Sequence, residues 1–432
     1  MSTTINSNII AKESLDIWEN NLVLANYIDW SYSDKFGEEN NKVGARYSVR
    51  RPVMVTVTEN NLAWNSANSA VVETKVDLVI DSSVTAPISF NDADMALRID
   101  KFSDRYIKPS IATLAAKLDS QIAKAVVNSA VGTTALLGAS DATTLGPNAA
   151  GYMVTYTGSD RSTYIPAVTQ ARKILQDQSC PDDGNIFGVI STSFNAGLVL
   201  ANQTQFNPLT KIDDKYRKGL IGTFDGITFS YSQSLVAHTN GSVNTVAITA
   251  GELTSGWAES STVTVSATAG IQPGDMFQVT GAFLVNQLTK VVTDNPFQFQ
   301  VAAVLSGTTL QVVPAIITGG QYQNVSATVV SKTTTLVGGT GTTQVESLVF
   351  HKSAICAASV ELVTPKKSSE DMIEQIKPED VDGFKFRFIR SYDAFGVTGT
   401  FGAGVPGMLS RFDGIFGIKT VMPPWIVRLR PV

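Results

Sequence analysis

The chain has 432 residues, of which 43% are hydrophobic and 16% charged, with 33 Lys and Arg against 38 Asp and Glu and a formal net charge of −5. This length and apolar content exclude a disordered tail protein, because the chain is long enough to bury a substantial core. The acidic balance argues against sequence-specific DNA binding, which needs a basic stripe, and the sparse surface charge favours contact with other protein.

The first predicted element is an amphipathic helix over residues 9–28. Its apolar residues recur at steps of three and four: Leu15, Trp18, Leu22 and Ala25. Acidic residues three apart form a stripe on its opposite face: Glu13, Asp16 and Glu19. This stripe is either an ordinary solvated face or a contact for a partner.

A polar segment over residues 31–51 leads into a long predicted hairpin. Its charged residues follow one another closely: Lys35, Glu38, Glu39, Lys42, Arg46, Arg50 and Arg51. Alternating apolar residues then predict strands over 53–58 and 72–80, joined by a polar connection that contains Trp64. Because a two-stranded ribbon is only marginally stable alone, the hairpin must lie on its own domain or on another subunit.

The most periodic segment, residues 92–128, predicts a long helix with Asn91 or Asp92 as its N-cap. Pro109 near the middle removes one hydrogen bond and clashes with the preceding turn, so we expect a kink or a break near Lys108. Two shorter helices are the alternative.

Mixed helices and strands follow. Ser162 is the expected cap of a helix, residues 186–190 read as a buried strand, and a helix is expected around 194–201. Glycines then punctuate short strands over 219–229. The glycine-rich stretch 132–158 fits no predicted element.

Composition changes sharply between His238 and Gln344, where Thr, Ser, Val and Gly dominate and helical periodicity is lost. Short alternating runs separated by turns predict a small all-β barrel or sandwich, inserted as a separate domain with residues 338–341 as its exit linker. From Val345 the mixed pattern resumes, and it ends in an apolar strand over 413–424.

Residues suited to catalysis or metal binding are scattered over almost half of the chain: Cys180, His238, His351 and Cys356. Their spacing predicts neither a disulfide framework nor a zinc site, and free buried thiols are the default. A G-x-G-x-x-G match at 402–407 contains the badly placed Pro406, and the acidic stretch 370–382 reads as an exposed loop. We therefore predict no catalytic residue, cofactor or metal.

The order of these parts resembles the tailed-bacteriophage major capsid proteins of the Hong Kong 97-like fold. In this resemblance residues 31–90 match the extended loop, 92–128 the spine helix, 219–227 the axial-domain strand pair and 411–420 the terminal strand of the peripheral domain. Within the insert, two segments are similar to the inserted domain of the short-tailed Salmonella-phage coat proteins: residues 270–283 and 297–314.

The resemblance implies an α+β fold of the Hong Kong 97-like capsid type with an inserted all-β barrel. The expected domains begin with an N-terminal arm (1–30), the extended-loop hairpin (31–90) and the spine helix with part of the peripheral domain (91–160). They continue with the first part of the axial domain (161–237), the inserted barrel (238–344), and the axial return with the peripheral strands (345–432).

The implied function is that of a major capsid protein without enzymatic activity, which self-assembles into an icosahedral procapsid and then the mature virion head around double-stranded DNA. Implied partners are further copies of the chain in hexamers and pentamers, a scaffolding protein, a portal protein, and DNA contacted non-specifically. The polar N-terminus and the lack of an eighteen-residue apolar stretch predict assembly in the host cytoplasm without a membrane.

Chain extensions suit shells, in which one surface meets a different surface of the neighbour. We expect the hairpin charges to pair with acids on a neighbouring copy, and the stripe of Glu13, Asp16 and Glu19 to receive a basic scaffolding helix. Two alternatives remain open: an encapsulin-like compartment shell protein, which would lack the insert, and a surface adhesin or carbohydrate-binding β protein, which the Thr/Ser/Val-rich insert would suit.

Overall fold

A computed structural model of the chain describes residues 21–33, 46–53, 73–91, 108–128, 147–202, 222–360, 373–376, 384–393 and 407–432. Within these residues the chain forms three α-helices and 21 β-strands, so the predicted α+β class is confirmed. No helix of the described ranges is long and apolar enough to span a membrane. The helices are α1 (Lys108–Val127), α2 (Tyr164–Asp177) and α3 (Thr192–Asn202).

The strands fall into three groups along the chain. The first group is β1 (Arg46–Arg50), β2 (Lys75–Val79), β3 (Ser82–Asn91), β4 (Tyr152–Tyr156), β5 (Ile186–Ile190), β6 (Thr223–Phe224), β7 (Ile227–Tyr231) and β8 (Ala237–Thr239). The second is β9 (Thr245–Ala250), β10 (Ser261–Val265), β11 (Met276–Val285), β12 (Val292–Val304), β13 (Thr309–Val313) and β14 (Thr333–Leu336). The third is β15 (Thr343–Val345), β16 (Ser347–His351), β17 (Ile355–Val360), β18 (Ile373–Ile376), β19 (Phe386–Asp393), β20 (Gly407–Thr420) and β21 (Ile426–Pro431).

Six strands form a mixed sheet in the order β4-β21-β16-β5-β7-β6, and α2 packs against it. The predicted strand over 186–190 is β5. β21 pairs with β4 in parallel and with β16 in antiparallel orientation, although the sequence pattern did not predict it. Its arginines, Arg428 and Arg430, interrupt the apolar pattern yet are fully buried. A buried strand predicted from apolar residues alone would therefore be missed here.

The second sheet is built around the long strand β20. β3 pairs with one edge of β20, while β19 and β17 follow each other along the other edge. Ser359 closes the junction of these two strands, because its Oγ donates to the Ile415 carbonyl at 2.9 Å and accepts the Lys385 N–H at 3.0 Å. At Gly417 a Cβ atom would lie 1.9 Å from the Val79 carbonyl oxygen, so only glycine lets β2 cross β20 here.

The structure describes part of the predicted hairpin, and β2 lies within the predicted strand 72–80. β1 pairs with β2 over Arg46–Arg50 and Lys75–Val79, whereas residues 51–53 lie in no strand. The prediction that the first strand begins at Val53 is therefore wrong: strand pairing falls on the preceding polar segment, whose Val49 supplies the apolar contact. Residues 54–72, which hold the rest of the predicted hairpin, lie outside the described residues.

The long predicted helix is described from Lys108 onward as α1, and residues 92–107 lie outside the described part. The kink or break expected near Lys108 falls at the edge of the described residues, one residue before Pro109. One face of α1 is buried in the main core through residues three and four apart: Ile111, Leu114, Ala115, Leu118, Ile122, Ala123 and Val126. This stripe is the periodicity that predicted the helix.

The end of one predicted helix and the cap of another are corrected. Of the predicted helix over 9–28, residues 9–20 lie outside the described residues. Residues 22–28 are not α-helical and include a short 3-10 helix, Ala25–Tyr27, and Leu22 and Ala25 enter the chain's own core. Ahead of α2 the cap is Asp160, whose carboxylate accepts the Ser162 N–H at 2.9 Å, because a 3-10 turn precedes the α-helix. Ser162 is therefore not the cap.

The strands from 245 to 336 close into an antiparallel barrel in the order β10-β13-β12-β11-β14-β9, which confirms the predicted inserted barrel. The described chain outside the barrel is termed the body. The barrel interior is an apolar core separate from that of the body, and in it the Phe277 and Phe299 rings lie 6.1 Å apart. β8 and β15 pair with each other where the chain enters and leaves the insert.

Candidate functional site

Of the residues predicted to contact other subunits, the described part of the chain includes Arg46, Arg50 and Arg51. Five more lie outside the described residues: Lys35, Glu38, Glu39, Lys42 and Trp64. The predicted stripe for a scaffolding helix also lies outside them: Glu13, Asp16 and Glu19. The structure thus shows the root of the predicted surface, where the hairpin and the arm join the body.

The ribbon of β1 and β2 has one face on the body and one in solvent. On the inner face, Val49, Val76 and Leu78 are buried. On the outer face, the Arg50 and Glu73 side chains are 78% and 63% exposed, and their charged atoms are 3.6 Å apart. An ion pair this exposed contributes little to stability, so the outer charges are available to another chain.

The N-terminal segment is anchored on the spine helix by Asp119. This carboxylate, 2% exposed, accepts the Val23 N–H at 2.9 Å and the Ala25 N–H at 3.0 Å. Burial raises the pKa of Asp119, although these N–H groups favour its ionised form. A single side chain of α1 therefore holds the start of the segment that follows the arm.

The same segment is also tied to β17. Asp29 bridges in parallel to Cys356: its N–H donates to the Ile355 carbonyl at 3.1 Å, and its carbonyl accepts the Ala357 N–H at 2.8 Å. Trp30 is buried and packs edge-to-face on Phe384, with ring centroids 5.7 Å apart. The arm therefore departs from a fixed point on the body.

The barrel docks on the body through two glutamines of β12. Gln300 is fully buried; its Oε1 accepts the Ala150 N–H at 2.9 Å, and its Nε2 donates to the Val126 and Val127 carbonyls, each at 3.1 Å. Gln298 Oε1 accepts the Met153 N–H at 2.9 Å. Gln300 thus caps the last turn of α1, whose carbonyls have no partner within the helix.

A buried charge cluster joins β21 to the same junction. Glu346 lies between Arg428 and Arg430, and all three side chains are fully buried. Glu346 accepts from Arg428 Nε and, at 2.5 Å, from Arg430 Nη1. Burial opposes ionisation, but the two arginines outweigh it and hold the pKa of Glu346 below its usual value.

The arginines also bond to the insert. Arg428 Nη1 donates to the Gly274 carbonyl at 2.7 Å, and Arg430 Nη2 donates to the Thr342 carbonyl at 2.7 Å. Beside them, the buried His238 ring lies 3.1 Å from Asp275 Oδ1 and 2.9 Å from Asn128 Oδ1. The cluster therefore fixes the barrel and the entry of the insert relative to β21.

Ser353, His351 and Asp183 lie close together at the end of β16, but their hydrogen bonds stabilise a turn. His351 Nε2 lies 3.0 Å from Asp183 Oδ1, and Nδ1 lies 2.8 Å from Ser353 Oγ. The same Nδ1 accepts the Ser353 N–H at 3.3 Å, so the ring caps the 3-10 turn that follows it. Hydrogen bonds from Asn185 and then His351 hold the pKa of Asp183 well below its usual range.

The two cysteines and the other residues considered for catalysis or metal binding do not form a site within the described ranges. Cys180 and Cys356 are free thiols, and burial raises the pKa of each to about 12. Within the described ranges, no group of three or more His, Cys, Asp or Glu side chains could hold a metal ion. Most of the 402–407 and 370–382 segments lies outside the described residues.

Sequence reasoning missed the residues that join barrel and body. Gln298 and Gln300 alternate with Phe297 and Phe299, whose side chains fill the barrel core. A polar residue that alternates with core residues normally faces solvent, so the pattern gives no sign of a second body on that face. Two arginines within a six-residue apolar strand, β21, were the available signal for a buried charge cluster.

Comparison with known proteins gives one family. The profile of the family described as "P22 coat protein - gene protein 5" matches residues 1–394 of the 432. No curated protein matches the chain.

Solved structures similar to the chain include several from bacteriophages. One from Mycobacterium phage Che8 is 14% identical, with 94% of this chain and 90% of that one covered and a TM-score of 0.43. The capsid of Cyanophage P-SCSP1u is 12% identical, with 91% and 84% covered and a TM-score of 0.44. The CUS-3 coat protein I-domain is 30% identical, covers 23% of this chain and 100% of its own, and has a TM-score of 0.20.

The charge cluster predicts a large effect of Glu346→Gln. Removing the carboxylate leaves two buried guanidinium groups without a counter-charge, so we expect the free energy of unfolding to fall by about 3–5 kcal/mol. Urea unfolding of the unassembled chain measures it. Asp294→Asn removes a carboxylate from an exposed ion pair between barrel and α2, with Lys173 at 2.5 Å, and should cost under ~1 kcal/mol. If both variants lost the same free energy of unfolding, Glu346 would not be the counter-charge that the two buried arginines need.

Asp119 predicts a pH dependence. A carboxyl group whose pKa is raised in the folded chain stabilises it most below the unfolded pKa, and this contribution is lost as the pH rises through the folded value. The unfolding free energy of the wild type minus that of Asp119→Asn should therefore decrease between about pH 4 and pH 7, since Asn does not ionise. A difference that increases over this range would show that the hydrogen bonds outweigh burial.

Proposed function

The chain belongs to the P22 coat protein family and is a major capsid protein of a tailed bacteriophage, and we propose that its hairpin and N-terminal arm make the contacts that build the shell. Membership of this family also confirms the predicted Hong Kong 97-like fold with an inserted barrel. The compartment and adhesin alternatives are not favoured. The family is structural, and the chain forms the shell of the virion.

One observation carries the proposal: the ribbon of β1 and β2 is fixed on the body by its inner face while its outer face keeps exposed charges. Charges held in solvent on a fixed surface can pair with opposite charges of another copy. Oppositely charged residues on a neighbour would give register and specificity to such a surface more than affinity. The proposed contacts comprise Lys35, Glu38, Glu39, Lys42, Arg46, Arg50, Arg51 and Trp64.

The two extensions support a head-to-tail contact between copies. Arm and ribbon both leave the body from fixed roots, on α1 and on the β20 sheet. An extension that reaches a different surface of the next copy closes rings, which suits hexamers and pentamers. We place shell assembly in the host cytoplasm, assisted by a scaffolding protein and nucleated with a portal protein, with the packaged DNA contacted non-specifically.

The hairpin surface is tested by reversing its positive charges together. In Lys35→Glu/Lys42→Glu/Arg46→Glu, repulsion replaces attraction to a neighbour, so we expect shell yield to fall at least about tenfold while the unassembled chain keeps its unfolding midpoint. Sedimentation velocity and electron microscopy measure the yield. The matched control, Lys35→Arg/Lys42→Arg/Arg46→Lys, keeps every charge and should assemble. Normal yield in the reversed variant would refute the proposed role of the hairpin.

The acidic stripe of the arm is tested in the same way. We propose that Glu13, Asp16 and Glu19 receive a basic helix of the scaffolding protein. The triple change of these residues to Lys should lower the scaffold content of the particles several-fold, as measured by gel densitometry of purified procapsids. The triple change to Gln removes the charge without reversing it and should have a smaller effect. Unchanged scaffold incorporation in the Lys variant would refute this contact.

A further inference from the structure

Arg51, the first residue after β1, lies at the end of the ribbon and contacts the body. Its N–H donates to the Thr74 carbonyl at 2.9 Å, one position beyond the last register pair of the ribbon. Arg51 therefore marks the end of the ribbon opposite the one at which β2 crosses β20. Its neighbour Arg50 extends into solvent, so the two consecutive arginines of the ribbon have opposite surroundings.

The Arg51 side chain turns into the body and reaches two separate parts of the chain. Its Nε and Nη2 lie 3.2 and 3.0 Å from the sulfur of Met422, just after β20. Its guanidinium carbon lies 5.0 Å from the ring centroid of Trp257, which belongs to the barrel loop between β9 and β10. Burial lowers the pKa of Arg51 to about 10, and Glu259 favours its charge.

The barrel loop that carries Trp257 is itself held on the body. Glu259, two residues further along this loop, pairs with Lys419 of β20, with Nζ and Oε1 2.5 Å apart, and the Lys419 side chain is only 4% exposed. The loop therefore has a fixed position against β20. Because Trp257 lies on this loop and Arg51 at the end of the ribbon, their contact connects barrel and ribbon directly.

We propose that Arg51 is a positioning residue that couples the ribbon to the inserted barrel and so sets the direction in which the ribbon reaches the next copy of the chain. The inference rests on the proposed function, in which the ribbon contacts a neighbour. The barrel would then influence shell geometry from within its own subunit, through Trp257 and Arg51.

The chemistry of the contact explains why an arginine is needed. A planar guanidinium stacks on an aromatic ring while it donates in its own plane to a second group, here the Met422 sulfur. A lysine ammonium is a compact point charge and cannot do both. Cation–π and N–H···S contacts are weak individually, so the pair can orient the ribbon without being required for the fold.

The first test measures the coupling in the unassembled full chain by hydrogen exchange. Arg51→Met and Trp257→Leu should each accelerate amide exchange in residues 46–50 by roughly tenfold. Both variants lose the cation–π contact between Arg51 and Trp257, and a contact of this kind changes an opening equilibrium by about that factor. The double variant should exchange no faster than the single ones. Arg51→Lys should behave as Arg51→Met. Arg50→Met, the matched control, should leave exchange in 46–50 within about twofold of wild type.

The second test measures the consequence in assembled particles by cryo-electron microscopy. Arg51→Met and Trp257→Leu should both broaden the distribution of shell diameters or yield open sheets, whereas Arg50→Met should keep the wild-type distribution. Trp257 is the decisive position, because it lies outside the ribbon and a local structural role of Arg51 would not involve it.

Two results would overturn the inference. If Trp257→Leu left exchange in 46–50 unchanged, barrel and ribbon would not be coupled. If exchange increased but both variants built wild-type shells, the coupling would not direct assembly. Failure of the proposed function looks different: the charge-reversed hairpin, Lys35→Glu/Lys42→Glu/Arg46→Glu, would then assemble normally, whatever the Arg51 variants do.

Discussion

The last turn of the spine helix finds its hydrogen-bond partner on another domain. Carbonyl groups at a helix end must be satisfied by something outside the helix, and Gln300 of the barrel supplies two donors to Val126 and Val127. Helix and barrel therefore cannot take independent positions. The junction also contains an apolar cluster of Ala149, Ala302 and Val313, and the directed polar bonds beside it fix the orientation of the barrel.

The buried cluster at Glu346 acts in the same direction. Burying charged groups costs desolvation free energy, and apolar side chains of equal size are often at least as stabilising. What the ions add is geometry, because Arg428 and Arg430 both pair with the Glu346 carboxylate and both donate to carbonyls of the insert. A shell subunit has to present its surfaces at reproducible angles, and bonds of this kind suit that requirement better than a smooth apolar contact.

Local patterns could predict the elements whose partners lie close along the chain. The spine helix follows from one apolar stripe, and the barrel follows from a change in composition and short alternating runs. The pattern failed where a distant partner contributes to the structure: Asp119 binds the backbone of Val23 and Ala25 where the chain forms a 3-10 helix, and Glu346 neutralises the buried arginines of β21. The Gln298 and Gln300 contacts could not be predicted, since their partners come from residues 126–153.

Ala237 and Val345 lie where the chain enters and leaves the insert, and these two residues face each other in the β8–β15 pair. Facing residues on paired strands are separated by only about 5 Å. A short turn spans the same distance, so a segment of any length inserted between these two residues leaves the β8–β15 pair in place.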